Sequence, residues 1–291
     1  VKKKLGIVEH KYRINWSTVE FTNDINKIEN PVARECLKYF KIDYPIEITT
    51  FADIPANTGL GSSSAFAVGL VNALFALEGK LASKYQIASI AAKIEIDLLG
   101  RKIGKQDHFA CCYGNINNLV FKSNESVEIN PIVASTKIIK KLEDSIILFY
   151  TNQKRNSESV LKNQFKIKKN QFIELNRMKD LVKISQNMIL NKNFNIKNFG
   201  KLLDKNWQIK KEINKLSSNK SIDKYYKTAI TNGAYGGKLL GAGNGGFLLF
   251  IANKSTQQKL SKKLKKLKKM YIKSDYTGTR ITYYDKSREA N

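Results

Sequence analysis

Three stretches of the chain carry residue types that handle phosphate. The first is Pro55-Ala56-Asn57-Thr58-Gly59-Leu60-Gly61-Ser62-Ser63-Ser64, a turn-rich loop that runs directly into the apolar, small-residue stretch 65–77. Glycines let a backbone approach a ligand closely and take positive φ. Serines at a helix start add hydroxyls to unpaired N–H groups and to the positive end of the helix dipole, which together favour an anion. Such hydroxyls also reach a magnesium ion that bridges phosphates. An ordinary serine N-cap is the plain alternative for any one of them; the whole run between a strand and an apolar helix favours phosphate. No Gly-Lys-Ser/Thr follows, so this is not a Walker loop.

The second stretch holds two acids twelve residues apart, Glu95 and Asp107, on short helical segments flanking Gly100 and Gly104. Phosphoryl transfer uses one carboxylate for the metal and another beside the acceptor hydroxyl, to accept or orient its proton. Each acid alone is equally readable as solvated: Glu95 has Lys93 and Lys102 nearby, and Asp107 suits the first turn of a helix. Asp97 reads as solvent-facing and His108 as a helix neighbour without a chemical role. The third stretch is the glycine cluster 236–246 between two strands. It is either a tight hairpin or a backbone wall beside a nucleotide, and Asn244 within it tolerates the left-handed region.

The elements that position these residues are read from periodicity and turn signals. A strand is expected over 44–53, helices over 62–78, 84–99 and 106–112, and strands near 117–122 and 145–151. Helical segments follow over 157–192 and 197–215, with a turn around Asn193 and Asn195. Next come helix 222–232, strands 236–241 and 246–252, helix 255–269, and short strands near 271–275 and 280–284. The order predicts an α+β protein of two lobes, 1–150 and 151–291.

On these residues the chain resembles the GHMP kinases, the superfamily of galactokinase, homoserine, mevalonate and phosphomevalonate kinases. Pro55 to Ala65 looks like the family's central ATP-binding motif. The resemblance implies that the loop of Pro55, Gly59, Leu60, Gly61, Ser62, Ser63 and Ser64 wraps ATP. That motif also implies Ser63 as a Mg2+ ligand, and the spacing of Glu95, Gly100, Gly104 and Asp107 resembles the galactokinase-like branch, which implies Glu95 as a second Mg2+ ligand and Asp107 as the catalytic base. The cluster with Gly243 and Gly245 resembles the third family motif, which buttresses the phosphate loop. The implied fold is an N-terminal lobe like ribosomal protein S5 domain 2 and a ferredoxin-like C-terminal lobe. Phrases around 30–35, 104–107, 148–161 and 233–242 look like bacterial D-glycero-D-manno-heptose 7-phosphate kinases. That implies transfer of the ATP γ-phosphate to the anomeric hydroxyl of a heptose 7-phosphate, giving the 1,7-bisphosphate. Lys105 and Arg155 are the candidates for gripping the sugar phosphate. The family's opening motif, a basic residue with a Gly-Gly-Gly-Thr-Asp-like turn, has no counterpart after Val1, so the first strands are expected to be missing.

Composition bounds the alternatives. Lys plus Arg outnumber Asp plus Glu by 51 to 25, a net +26, yet only seven are arginines and the lysines are spread along the chain with abundant Asn and Ile. The excess reads as compositional drift and solubility, with no nucleic-acid or membrane partner expected. Helix 260–269 reads as a leucine stripe on a sheet with a solvated lysine face. Cys36, Cys111 and Cys112 suggest no disulfide framework and fit a reducing cytoplasm. Two histidines without a Cys/His cluster argue against zinc. Two other classes stay open: a GHMP kinase for galactose, fucose or mevalonate, and a non-catalytic nucleotide- or nucleic-acid-binding protein.

Overall fold

The computed structural model describes residues 1–55, 58–153 and 171–285. The chain forms two compact units, one from Val1–Pro55, Gly61–Asn115 and Asp275–Asn291, the other from Ala56–Leu60 and Ile116–Ser274. These cuts differ from a single division at residue 150, because the strand that ends there has its partners about a hundred residues further on.

In the first unit, β1 (Lys2–Lys3), β2 (Tyr12–Asn15), β3 (Val19–Thr22) and β4 (Ile46–Thr49) form a sheet in the order β1-β4-β2-β3. β2 and β4 run parallel, with Tyr12 opposite Ile46 and Ile14 opposite Ile48. Two-residue alternation puts all four on one face, and all four are buried. A parallel pair needs a crossover, and it contains α1 (Pro31–Tyr39), which Asn30 caps and Pro31 starts.

Three helices fill the rest of this unit and pack on one another: α2 (Ser62–Leu77), α3 (Lys84–Lys93) and α4 (Gln106–Tyr113). α2 is apolar almost all round, as a buried helix must be, and Ala67, Val71 and Leu74 are wholly inaccessible. A capping box of Ser83 and Gln86 starts α3. The helix expected over 84–99 changes character at its end: Ile94–Leu98 is a π turn, closed by Leu99 N–H on the Ile94 carbonyl at 3.0 Å. The C-terminal end of α4 is held by residues far along the chain. Asn115 N–H donates to the Asp275 carbonyl at 2.5 Å and Thr279 N–H to that of Cys112 at 3.2 Å, while Asn72 Nδ2 donates to Thr279 Oγ1 at 3.1 Å.

The second unit contains the hairpin β5 (Asn117–Phe121) and β6 (Val127–Pro131), α5 (Thr136–Ser145) and β7 (Ile146–Tyr150). It continues with α6 (Gln171–Leu190), α7 (Ile196–Ile213), α8 (Lys220–Thr231), β8 (Gly236–Leu239), β9 (Phe247–Ile251), α9 (Lys254–Lys263) and β10 (Lys268–Met270). Its antiparallel sheet has the order β10-β7-β9-β8. Phe149, Leu239 and Phe250 from this sheet share a core with Trp207 of α7 and Ile222 of α8. The abundant asparagines find a use here: Asn195, Asn219 and Asn253 cap α7, α8 and α9.

Leu260, Leu264 and Leu267 do enter this core while Lys262, Lys263, Lys265 and Lys266 stay exposed. The helix ends at Lys263 and not 269, because 268–270 pairs with Leu148–Tyr150 as a strand. No strand forms over 280–284. The Asp275 carboxylate takes the N–H groups of Thr277 and Gly278 in a turn, and the strip packs on the end of α4.

Candidate active site

The site is built around the start of α2. Its cap residue, Gly61, takes left-handed φ 69° and ψ 22°, and no side chain caps the helix. The first-turn N–H groups therefore have no intrahelical or side-chain cap partner at a point where the dipole is positive. Ser62 is half-buried, Ser63 exposed and Ser64 buried. Asp107, in the first turn of α4, is exposed and lies against Gly61: a Cβ built on Gly61 would be 3.3 Å from its Cβ, Cγ and Oδ2.

Behind the serines sits Glu95. It is wholly inaccessible, which removes the solvated alternative, whereas Asp97 two residues on is exposed. The π turn brings the carboxylate under α2. Glu95 Oε1 accepts from Ser63 Oγ at 2.5 Å and from Arg101 Nη1; Oε2 accepts from Ser64 Oγ at 3.0 Å and pairs with His108 Nε2 at 2.8 Å. An ionised carboxylate only accepts, so Nε2 carries the proton of that bond. The same Arg101 Nη1 also donates to Ser63 Oγ at 2.7 Å. Burial pushes the Glu95 carboxyl up, but the hydrogen bonds from His108 and Ser63, with the charges of His108 and Arg101, outweigh it and hold the group below its ordinary value.

A buried ionised carboxylate sharing an edge with an exposed serine hydroxyl is the hard-oxygen donor set that Mg2+ takes. A guanidinium nitrogen already stands in for a cation on those two oxygens. Ser63 and Glu95 are thus candidates to hold a metal once the guanidinium gives way. Arg101 and His108 were not foreseen as parts of the cluster; the signals available were one of the few arginines six residues after Glu95, and a histidine adjacent to Asp107.

The remaining candidates fall elsewhere. Lys105 is the cap residue of α4, two positions before Asp107. Pro55 belongs to the first unit, while Gly59 and Leu60 group with the second. Within that second unit, Gly246 presses on the backbone of Thr58, where a Cβ would meet the Thr58 carbonyl oxygen at 2.1 Å. Gly243 and Gly245 lie in the same loop between β8 and β9. Asn244 does adopt the left-handed region at φ 59°; its N–H donates to the Ser217 carbonyl at 2.8 Å and its Oδ1 accepts from Asn219 at 2.9 Å. Arg155 lies outside the described residues.

Comparison with known proteins gives a consistent picture. Residues 26–115 match the GHMP kinases N terminal domain and residues 188–269 the GHMP kinases C terminal model. Over 221 residues the chain is 34% identical to the D-glycero-alpha-D-manno-heptose 7-phosphate kinase of Campylobacter jejuni; the match covers 75% of this chain and 64% of that protein. The fold resembles a D-glycero-D-manno-heptose 1-phosphate kinase from Bacteroides thetaiotaomicron, with TM-score 0.71 and 21% identity over 98% of this chain and 86% of the other. It resembles a Methanococcus jannaschii mevalonate kinase equally well, with TM-score 0.72 and 21% identity over 94% and 87%. At such identities the likeness establishes the fold alone. Among the described residues no helix is long and apolar enough to cross a membrane.

Proposed function

Since the chain belongs to the GHMP kinase family, we propose that it transfers the γ-phosphate of ATP to the anomeric hydroxyl of D-glycero-D-manno-heptose 7-phosphate. The observation that carries the transfer is the exposed Asp107 carboxylate lying on Gly61 at the uncapped start of α2. In this reading Asp107 serves as a proton acceptor next to an anion-binding backbone. The choice of acceptor is supported by the 34% identity to a D-glycero-alpha-D-manno-heptose 7-phosphate kinase.

In this reading the N–H groups at Gly61–Ser64 bind phosphate oxygens, and the loop through Pro55, Gly59 and Leu60 encloses the nucleotide. Gly243 and Gly245 are assigned to the nucleotide by the family resemblance alone. Ser63 and Glu95 hold Mg2+, which supplies neutralisation of the charge that builds on the phosphates. Asp107 orients the acceptor hydroxyl and takes its proton. Lys105 and Arg155 hold the sugar's own phosphate.

The test is ATP consumption with heptose 7-phosphate, galactose, fucose and mevalonate in parallel, for the protein and for Asp107→Asn. Turnover with heptose 7-phosphate and a fall of about 10²–10⁴ in kcat for the variant are expected. Turnover with a different acceptor alone removes the heptose assignment. Near-normal turnover by the variant removes Asp107 as the base.

A further inference from the structure

Glu95 carries four protein donors: the hydroxyls of Ser63 and Ser64, the Nε2 of His108 and the Nη1 of Arg101. A carboxylate offers about four acceptor positions, so this one has none left for a metal. One donor has to leave before a cation can bind. Ser64 and His108 are buried, and His108 wholly so. Ser63 keeps its place by its backbone in α2 and can ligate a metal through a lone pair while still donating its proton. Arg101 differs in each respect. Its side chain is a quarter exposed, it brings a positive charge to where a divalent cation would come, and its Nη1 bridges Ser63 Oγ and Glu95 Oε1 together. Its backbone is anchored, since Arg101 N–H donates to the Glu95 carbonyl at 3.1 Å. Only the side chain needs to swing.

We propose that Arg101 is a displaceable placeholder for the divalent cation: its guanidinium occupies the shared edge of Ser63 and Glu95, and metal binding exchanges it out. The buried carboxylate is never left without a counter-charge, because an unpaired charge there is strongly unfavourable. The cost is competition: metal that arrives without nucleotide must displace an arginine already in place. Arg101 is thus a positioning residue that sets the affinity of the site for metal. This rests on the reading of Ser63 and Glu95 as the metal pair.

Mn2+ binding followed by the electron paramagnetic resonance signal of the free ion tests it, with and without ATP, on the wild type, Arg101→Gln, Arg101→Lys and Lys102→Gln. Without nucleotide, Arg101→Gln is expected to bind Mn2+ tighter than wild type by between about tenfold and a hundredfold, the equivalent of one charge-assisted hydrogen bond. Adding Glu95→Gln to that variant is expected to abolish the gain. Arg101→Lys, a shorter side chain with a compact ammonium in place of the guanidinium, is expected to fall between, and it decides the matter if Arg101→Gln does not fold. Unchanged affinity in the folded arginine variants overturns the proposal, as does an equal gain in Lys102→Gln, which would mark a general charge effect. If Mn2+ with ATP does not bind the wild type at all, the metal-pair reading itself fails and the placeholder with it. If it does bind and the arginine variants show no gain, only the placeholder fails.

Discussion

The Asp107 carboxylate leaves Gly61 no spare room: a Cβ at Gly61 would stand 3.3 Å from Cβ, Cγ and Oδ2 of Asp107, on a backbone with φ 69°. Gly61→Ala therefore combines a tight contact with a strained conformation. The expected loss is about 1 kcal/mol of stability and a fall in kcat larger than any change in the KM for ATP. Steady-state kinetics with a thermal melt checks both; a variant with full turnover would separate Gly61 from the role proposed for Asp107.

Glu95 makes folding depend on acidity. Burial raises its pKa, and the bonds and charges of His108, Ser63 and Arg101 lower it by more, so the folded value lies below the unfolded one. Stability from this group is then present above the unfolded value of about 4.3 and lost as pH falls through the folded one. Urea midpoints in EDTA between pH 7 and pH 3 are expected to drop steeply at the acid end for the wild type and less steeply for Glu95→Gln. Breaking a fully buried pair costs about 3–5 kcal/mol; with Arg101 a quarter exposed, about 2–3 kcal/mol is expected for the variant at pH 7. Equal acid slopes would contradict the assignment.

Cys111 reports on Asp107, one helical turn before it. Its thiol is pushed up to about 11, first by burial and then by the negative charges of Asp107, Cys112 and Glu95. At pH 8 it is expected to react with iodoacetamide about 10²-fold more slowly than a free thiol. Asp107→Asn is expected to speed that reaction; an unchanged rate would mean the two groups do not sense each other. Because the folded value is the raised one, this thiol's stabilising contribution is present below about pH 8.5 and fades as pH climbs toward 11.

Two glycines give opposite responses to the same change. At Gly246, with φ 100°, a methyl group would meet the Thr58 carbonyl oxygen at 2.1 Å, so Gly246→Ala is expected to cost more than about 2 kcal/mol. At Gly69, inside α2, it would meet nothing within 4 Å, and Gly69→Ala is expected to stabilise by about 0.5–1 kcal/mol. Denaturant midpoints of the pair decide; a tolerated Gly246→Ala would count against the close approach.

What the sequence made legible was local. The start of α2, the strand ending at Tyr150 and the loop around Asn244 were all foreseeable from turn residues and periodicity. The donors on Glu95 were not, because Ser63 and His108 reach it from other helices and the π turn aims it at them. β1, β2 and β3 went unforeseen for a similar reason. These strands are two to four residues long, and the parallel match of Tyr12 with Ile46 is a register between distant segments. β7 looked like the end of a lobe because nothing local shows that it pairs with β9 and β10.

The way the chain is shared between the two units has a consequence for synthesis. A ribosome releases Glu95, Arg101 and Asp107 long before the segment that braces the end of α4, with Asp275 on Asn115 and Thr279 on Cys112. The nascent first unit must wait, its α4 unbraced, while the whole second unit emerges. The first unit is therefore completed only after the second has been translated, and a stall near residue 274 would release a chain with every catalytic candidate present and the end of α4 unsecured.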